Sequence, residues 1–172
     1  MLKPRLLFLV LLAIALSSCG YSLQPEGTGR FTDPKARVDL SPFVNDTSEP
    51  DAGAYIASKL REGMRQRGFE GSFERIGADF IIAGRVRGYE DEVLSHTAFR
   101  FALENRVTLF VEIHVIDTRN GNVLWKEEKL RESVSYYSGI DPQYVASNRR
   151  AAFEEAVRRV VLRMAQTIRL IM

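Results

Sequence analysis

The chain of 172 residues contains one cysteine, two histidines and one tryptophan. A single cysteine excludes an intramolecular disulfide and any CxxC redox or zinc motif. His96 and His114 stand in no HExxH spacing, and no GxSxG or P-loop pattern occurs, so the sequence offers no catalytic constellation. Gly27-Thr28-Gly29 is too short for a phosphate loop and follows no strand. Charge of one sign is also missing. The 24 Lys and Arg face 22 Asp and Glu, without the basic excess of a nucleic-acid binder. Long apolar runs are absent too. Leu6 to Leu16 is uncharged, but its 11 residues fall short of the roughly 20 that a membrane-spanning helix needs.

What that short run does fit is the core of an export signal. Lys3 and Arg5 precede it as a positive flank, and Leu16-Ser17-Ser18-Cys19 follows it. This tetrapeptide resembles the lipobox of bacterial lipoproteins, in which small residues pass an extended segment to the peptidase and the thiol accepts a lipid. The expectation is a cleaved leader over residues 1–18. Cys19 then bears a covalent diacylglycerol and an N-acyl chain, and no other cofactor is expected. Several acyl chains hold a protein stably on a bilayer where one does not. Gly20, in place of an inner-membrane-retaining Asp, points to a lipid-anchored protein on the periplasmic side of the outer membrane. The leader carries two basic residues and no acidic one, so residues 19–172 balance at 22 of each sign. They suffice for one domain.

Residues 19–36 are rich in Gly, Pro and Thr and read as a lipidated tether, leaving 37–172 as a single α+β periplasmic domain. Arg37 to Phe43 alternates polar and apolar residues and predicts a first strand, ended by Pro42. Ser48 as N-cap and Pro50 near the first turn predict a helix from Pro50 to Gln66, with Ile56, Leu60 and Met64 on one face and Gly68 beyond its end. Ala78 to Tyr89 alternates again, with Phe80, Ile82, Gly84 and Val86 on one side. Glu90-Asp91-Glu92 reads as an acidic break and lacks the ligand spacing of a calcium loop. Ser95 to Leu103 reads as a loop or an irregular strand end. Arg106 to Asp117 is the clearest strand, carrying the row Val107, Leu109, Val111, Ile113 and Val115. Thr118-Arg119-Asn120-Gly121 predicts a hairpin turn with Asn-Gly at positive φ. The return strand, Asn122 to Tyr137, is charged enough to lie at an edge. Asp141-Pro142 opens a last helix to Ile171, striped by Phe153, Val157, Val160, Met164, Ile168 and Ile171. The order β-α-β-β-β-α predicts two amphipathic helices packed on one face of a mainly antiparallel, mixed sheet of about four strands.

Four segments carry a family resemblance. They are Cys19-Gly20-Tyr21-Ser22-Leu23; Val38-Asp39-Leu40 with Pro42-Phe43 and Asn45-Asp46-Thr47; Ala78-Asp79-Phe80-Ile81-Ile82-Ala83-Gly84; and Asp117 to Trp125 with Gly121. In order and spacing they resemble the lipopolysaccharide-assembly lipoproteins of the LptE type. The resemblance implies a non-enzymatic plug inside an outer-membrane β-barrel of the LptD type, which helps deliver lipopolysaccharide to the outer leaflet. It also implies direct contact with lipopolysaccharide through basic residues. The hairpin pattern occurs in other small periplasmic lipoproteins. An accessory lipoprotein of another envelope lipid or solute transport system therefore stays open as the alternative.

Lipopolysaccharide is anionic, and Arg pairs with phosphate in bidentate fashion. Candidate contacts are Arg100, flanked by Phe99 and Phe101, together with Arg106, Arg85 and Arg87 near strand ends or on polar strand faces. Arg158, Arg159 and Arg163 read as a solvated helix face balanced by Glu154 and Glu155. His114 reads as a half-exposed strand residue.

Overall fold

The computed structural model describes residues 31–96 and 102–172. The segment before the first strand is held by apolar burial. Phe31 and Ala36 are buried, and the Phe31 ring meets Phe69 edge-on at 5.1 Å. Of the first strand expected over Arg37 to Phe43 only β1 (Val38–Asp39) forms, and a second short strand, β2 (Val44–Asn45), follows just beyond it. Pro42 between them has no N–H to give a ladder. Helix α1 spans Ala52–Gln66, so it starts two residues after Pro50 rather than at it. The side chain of Asn45 is the reason. Its Oδ1 accepts from the Thr47 N–H and Oγ1 at 3.1 and 2.7 Å, and its Nδ2 donates to the Glu49 carbonyl at 2.9 Å. These bonds fold the capping residues into a turn of their own. Asp51 then enters α1 with a left-handed φ of 55° and no side-chain cap.

Three long strands follow: β3 (Phe80–His96), β4 (Ala102–Asp117) and β5 (Val123–Tyr137). The acidic residues 90–92, expected as a break, lie within β3, and of the stretch from Ser95 to Leu103, expected as a loop or an irregular strand end, the described residues end β3 and begin β4. β1 and β2 pair in parallel with one edge of β3, while β3–β4 and β4–β5 are antiparallel, giving five strands instead of about four. At the β4–β5 turn only Gly121 takes a positive φ, 72°, and its N–H donates to the Asp117 carbonyl at 2.8 Å. The turn is thus wider than a two-residue Asn-Gly hairpin. Helix α2 spans Pro142–Ile171 as expected, with Asp141 accepting from the Gln143 N–H and Pro142 in the first turn.

Both helices cover one sheet face and run in the same direction. Tyr55 of α1 lies 5.8 Å from Phe153 of α2, and Gly63 faces Val161 one helix segment later. The row Val107, Leu109, Val111, Ile113 and Val115 is fully shielded beneath them, each large side chain contributing about 1.5–3 kcal/mol of hydrophobic stabilisation. Helices and the β1–β2 edge cover only part of the sheet. Beyond Val86 and Val111, the ends of β3 and β5 with the start of β4 continue as a three-stranded tongue that β1 and β2 do not flank, its inner face still covered by α2 at Tyr89, Val107 and Leu109.

Candidate functional site

The helix-free face of the sheet holds the predicted basic residues that are described. Arg85 Nη1 donates to both carboxylate oxygens of Asp46, at 2.8 and 3.0 Å. Arg87 pairs through Nε with Glu112 at 2.7 Å and stands 3.7 Å from Asp46. A ladder slip places both side chains together: Val86 faces Val111, but Gly88 faces Phe110, so Arg87 is the extra residue. The Arg85 hydrogen bond, with the charges of Arg85 and Arg87, holds the Asp46 carboxyl below the usual carboxylate range. Two arginines and two carboxylates leave this cluster near neutrality. A shallow pocket of about 230 Å³ adjoins it, lined in part by Val44, Ala83 and His114.

Arg106 is separate. It sits on β4 six residues before Glu112, roughly 20 Å along the strand. Across the ladders it faces Glu92 and Ser135, and it has no ion pair among the described residues. Arg100 and Cys19 lie outside the described residues. The four predicted arginines therefore do not form one patch: two are neutralised together, and one stands on the tongue.

The tongue also holds a polar cluster that the sequence reading did not single out. The Tyr136 hydroxyl donates to the Asp91 carboxylate at 2.9 Å and accepts from Asn105 Nδ2 at 3.0 Å. Asn105 Oδ1 and the Tyr89 hydroxyl are buried without a protein partner among the described residues. Burial pushes the Tyr89 phenol up to about 12 and raises Tyr136 too. The cluster draws on three strands, and no local pattern announces it. Around it, Val93, Leu94, Tyr137, Ile140 and Tyr144 are exposed. All belong to the end where β3 finishes, β5 finishes and α2 begins. That end carries these exposed apolar side chains and, on the helix-free face, Arg106 opposite Glu92.

The helix pair offers a second concavity of about 570 Å³ along its solvent side, with Tyr55, Gly63, Val161 and Leu162 in its lining. Its walls are ion pairs, Lys59 with Glu62 and Arg158 with Glu155, as expected of solvated helix faces. Arg163 pairs with Glu132 of β5 instead of standing free. Among the described residues, no group of three or more His, Cys, Asp or Glu is placed to hold a metal ion, and no helix is long and apolar enough to cross a membrane.

Solved structures share this fold at low sequence identity. A lipoprotein from Caulobacter crescentus superposes with a TM-score of 0.53 at 18% identity, over 76% of this chain and 90% of that one. A protein from Xanthomonas campestris gives 0.55 at 13% identity, over 85% and 90%. Lipoprotein B from Nitrosomonas europaea gives 0.54 at 13%, over 75% and 82%. No curated protein matches the chain. The sequence itself carries the assignment. The model of the family described as "LptE: Lipopolysaccharide-assembly" matches residues 36–170, from two residues before β1 almost to the end of α2. The chain belongs to the LptE family of lipopolysaccharide-assembly proteins.

Proposed function

We propose that this chain is an outer-membrane lipoprotein, anchored through acyl chains on Cys19, that plugs an LptD-type β-barrel and helps deliver lipopolysaccharide to the outer leaflet without catalysing a reaction itself. The observation that carries the reading is the family match across the whole folded body. The tongue supports it chemically. Lipopolysaccharide joins anionic headgroups to acyl chains. Arg106 and the exposed apolar residues Val93, Leu94, Tyr137, Ile140 and Tyr144 offer one element for each. Arg100 lies between β3 and β4 in sequence, outside the described residues. Arg85 and Arg87, already paired with Asp46 and Glu112, serve the body of the sheet. A polar outer surface suits the lumen of a barrel, which is itself polar.

Depletion of the protein in its source bacterium tests the reading. The expected result is loss of newly made lipopolysaccharide from the cell surface, restored by the wild-type gene and not by Cys19→Ala. Unchanged surface lipopolysaccharide with a defect in another transported lipid or solute would instead establish the accessory-lipoprotein alternative.

A further inference from the structure

The edge of β3 changes character half way along. Its first half is covered, because β1 pairs at Phe80 and Ile81, β2 pairs at Arg85 and Val86, and the Asp46 N–H donates to the Val86 carbonyl at 3.0 Å. Among the described residues no strand pairs with this edge beyond Val86, yet β3 continues to His96. The ladder slip at Arg87 decides which groups are left over. The Val86 carbonyl points to β2, and pairing to β4 resumes at Gly88↔Phe110, Glu90↔Thr108 and Glu92↔Arg106. Alternation then turns the main-chain N–H and C=O of Tyr89, Asp91 and Val93 away from β4, toward the open edge. An extended segment laid in line with β2 would bond to them.

Charge selects the occupant. Glu90, Asp91 and Glu92 are all exposed, and none has an ion pair among the described residues. Asp91 is engaged by the Tyr136 hydroxyl, and a second copy adding edge to edge would set Glu90 and Glu92 against their own counterparts, which is repulsive across a ladder. A strand bearing Lys or Arg would be attracted, and Val93 and Leu94, 48% and 37% exposed, would meet its apolar residues. We propose that the β3 edge over Tyr89–Leu94 is a strand-addition site that takes an extended, basic segment of a partner protein.

The full chain in detergent, at low ionic strength, is given a blocked octapeptide of alternating Val and Lys, or its Val and Glu counterpart. Amide hydrogen exchange is then followed residue by residue. The expected result is slowing of at least about tenfold at the Tyr89, Asp91 and Val93 amides with the lysine peptide alone. The Gly88, Glu90 and Glu92 amides, already turned to β4, should be unchanged. In Glu90→Gln/Glu92→Gln the difference between the two peptides should shrink to about twofold or less. No slowing with the lysine peptide at millimolar concentration, or equal slowing with both peptides on the wild-type chain, would overturn the proposal.

Discussion

The ring of Phe43 lies against Gly84, so close that a Cβ at position 84 would stand 2.1 Å from its Cε2. Behind it, the Phe43 carbonyl oxygen would be 1.9 Å from a Cβ on Gly53, and the Phe43 N–H donates to the Gly53 carbonyl at 3.2 Å. Phe43 is thus wedged between the first turn of α1 and the middle of β3, with a glycine on each side. This contact sets where α1 rests on the sheet. Gly84→Ala should therefore destabilise the protein by at least about 1–3 kcal/mol through overpacking. Phe43→Ala in the Gly84→Ala background should cost less than the two single losses added together, with a coupling of about 0.5–3 kcal/mol. Denaturant melts of the four proteins check both statements, and strict additivity would refute the wedge.

Tyr136→Phe deletes the one hydroxyl that joins Asp91 to Asn105. It leaves the Asn105 amide buried and without that partner. The expected loss is about 1–3 kcal/mol, read by thermal unfolding. A change near zero would show that the tongue does not depend on this bond.

Stability should fall at both ends of the pH scale. Asp46, Asp79 and Asp117 have carboxyls held below their ordinary value of 3.8, chiefly by hydrogen bonds from Arg85, Arg37 and Arg119. Each binds its proton less readily folded than unfolded. Their contribution is present above the ordinary carboxylate range and is lost as pH falls through it. Tyr89 works in the opposite direction. Burial lifts its phenol from 10.0 to about 12, so stability is retained below pH 10 and declines from there toward 12 as the unfolded chain ionises first. Unfolding midpoints measured across pH test both arms. In Tyr89→Phe the alkaline decline should weaken while the acid one persists.

Among the basic residues of the helix-free face, Arg106 should matter most to an anionic ligand. Arg106→Glu would set a third carboxylate beside Glu92 and Glu104. It should weaken lipopolysaccharide binding by about tenfold, the worth of a charge-assisted contact of roughly 1.5 kcal/mol. Arg85→Ala should change binding less and stability more, because it strips the guanidinium from Asp46. Titration of purified protein with lipopolysaccharide at fixed salt, beside a thermal melt of each variant, separates the two effects.

The sequence made the long elements readable where one periodicity ran unbroken. The row from Val107 to Val115 and the stripe from Phe153 to Ile168 are the buried faces of β4 and α2, and Asp141-Pro142 marks the start of α2. Local competition hid the rest. Asn45 takes up Thr47 and Glu49, which no propensity at Ser48 or Pro50 reveals, and α1 starts late. The acidic residues 90–92 look like a break, but the tongue leaves them exposed, where charge costs a strand little. Arg85 and Arg87 looked available because Asp46 is 39 residues from Arg85 in sequence. The cluster of Asp91, Asn105 and Tyr136 exists only once three strands are in register.

We propose that this lipoprotein works as a subunit of a lipopolysaccharide-exporting barrel. Co-purification of the affinity-tagged full chain from detergent-solubilised outer membranes, with partners identified by mass spectrometry, tests it most directly. The expected result is a β-barrel of the LptD kind in one-to-one ratio, retained through washing. Recovery of the lipoprotein alone, or with the subunits of an inner-membrane transporter, would contradict it.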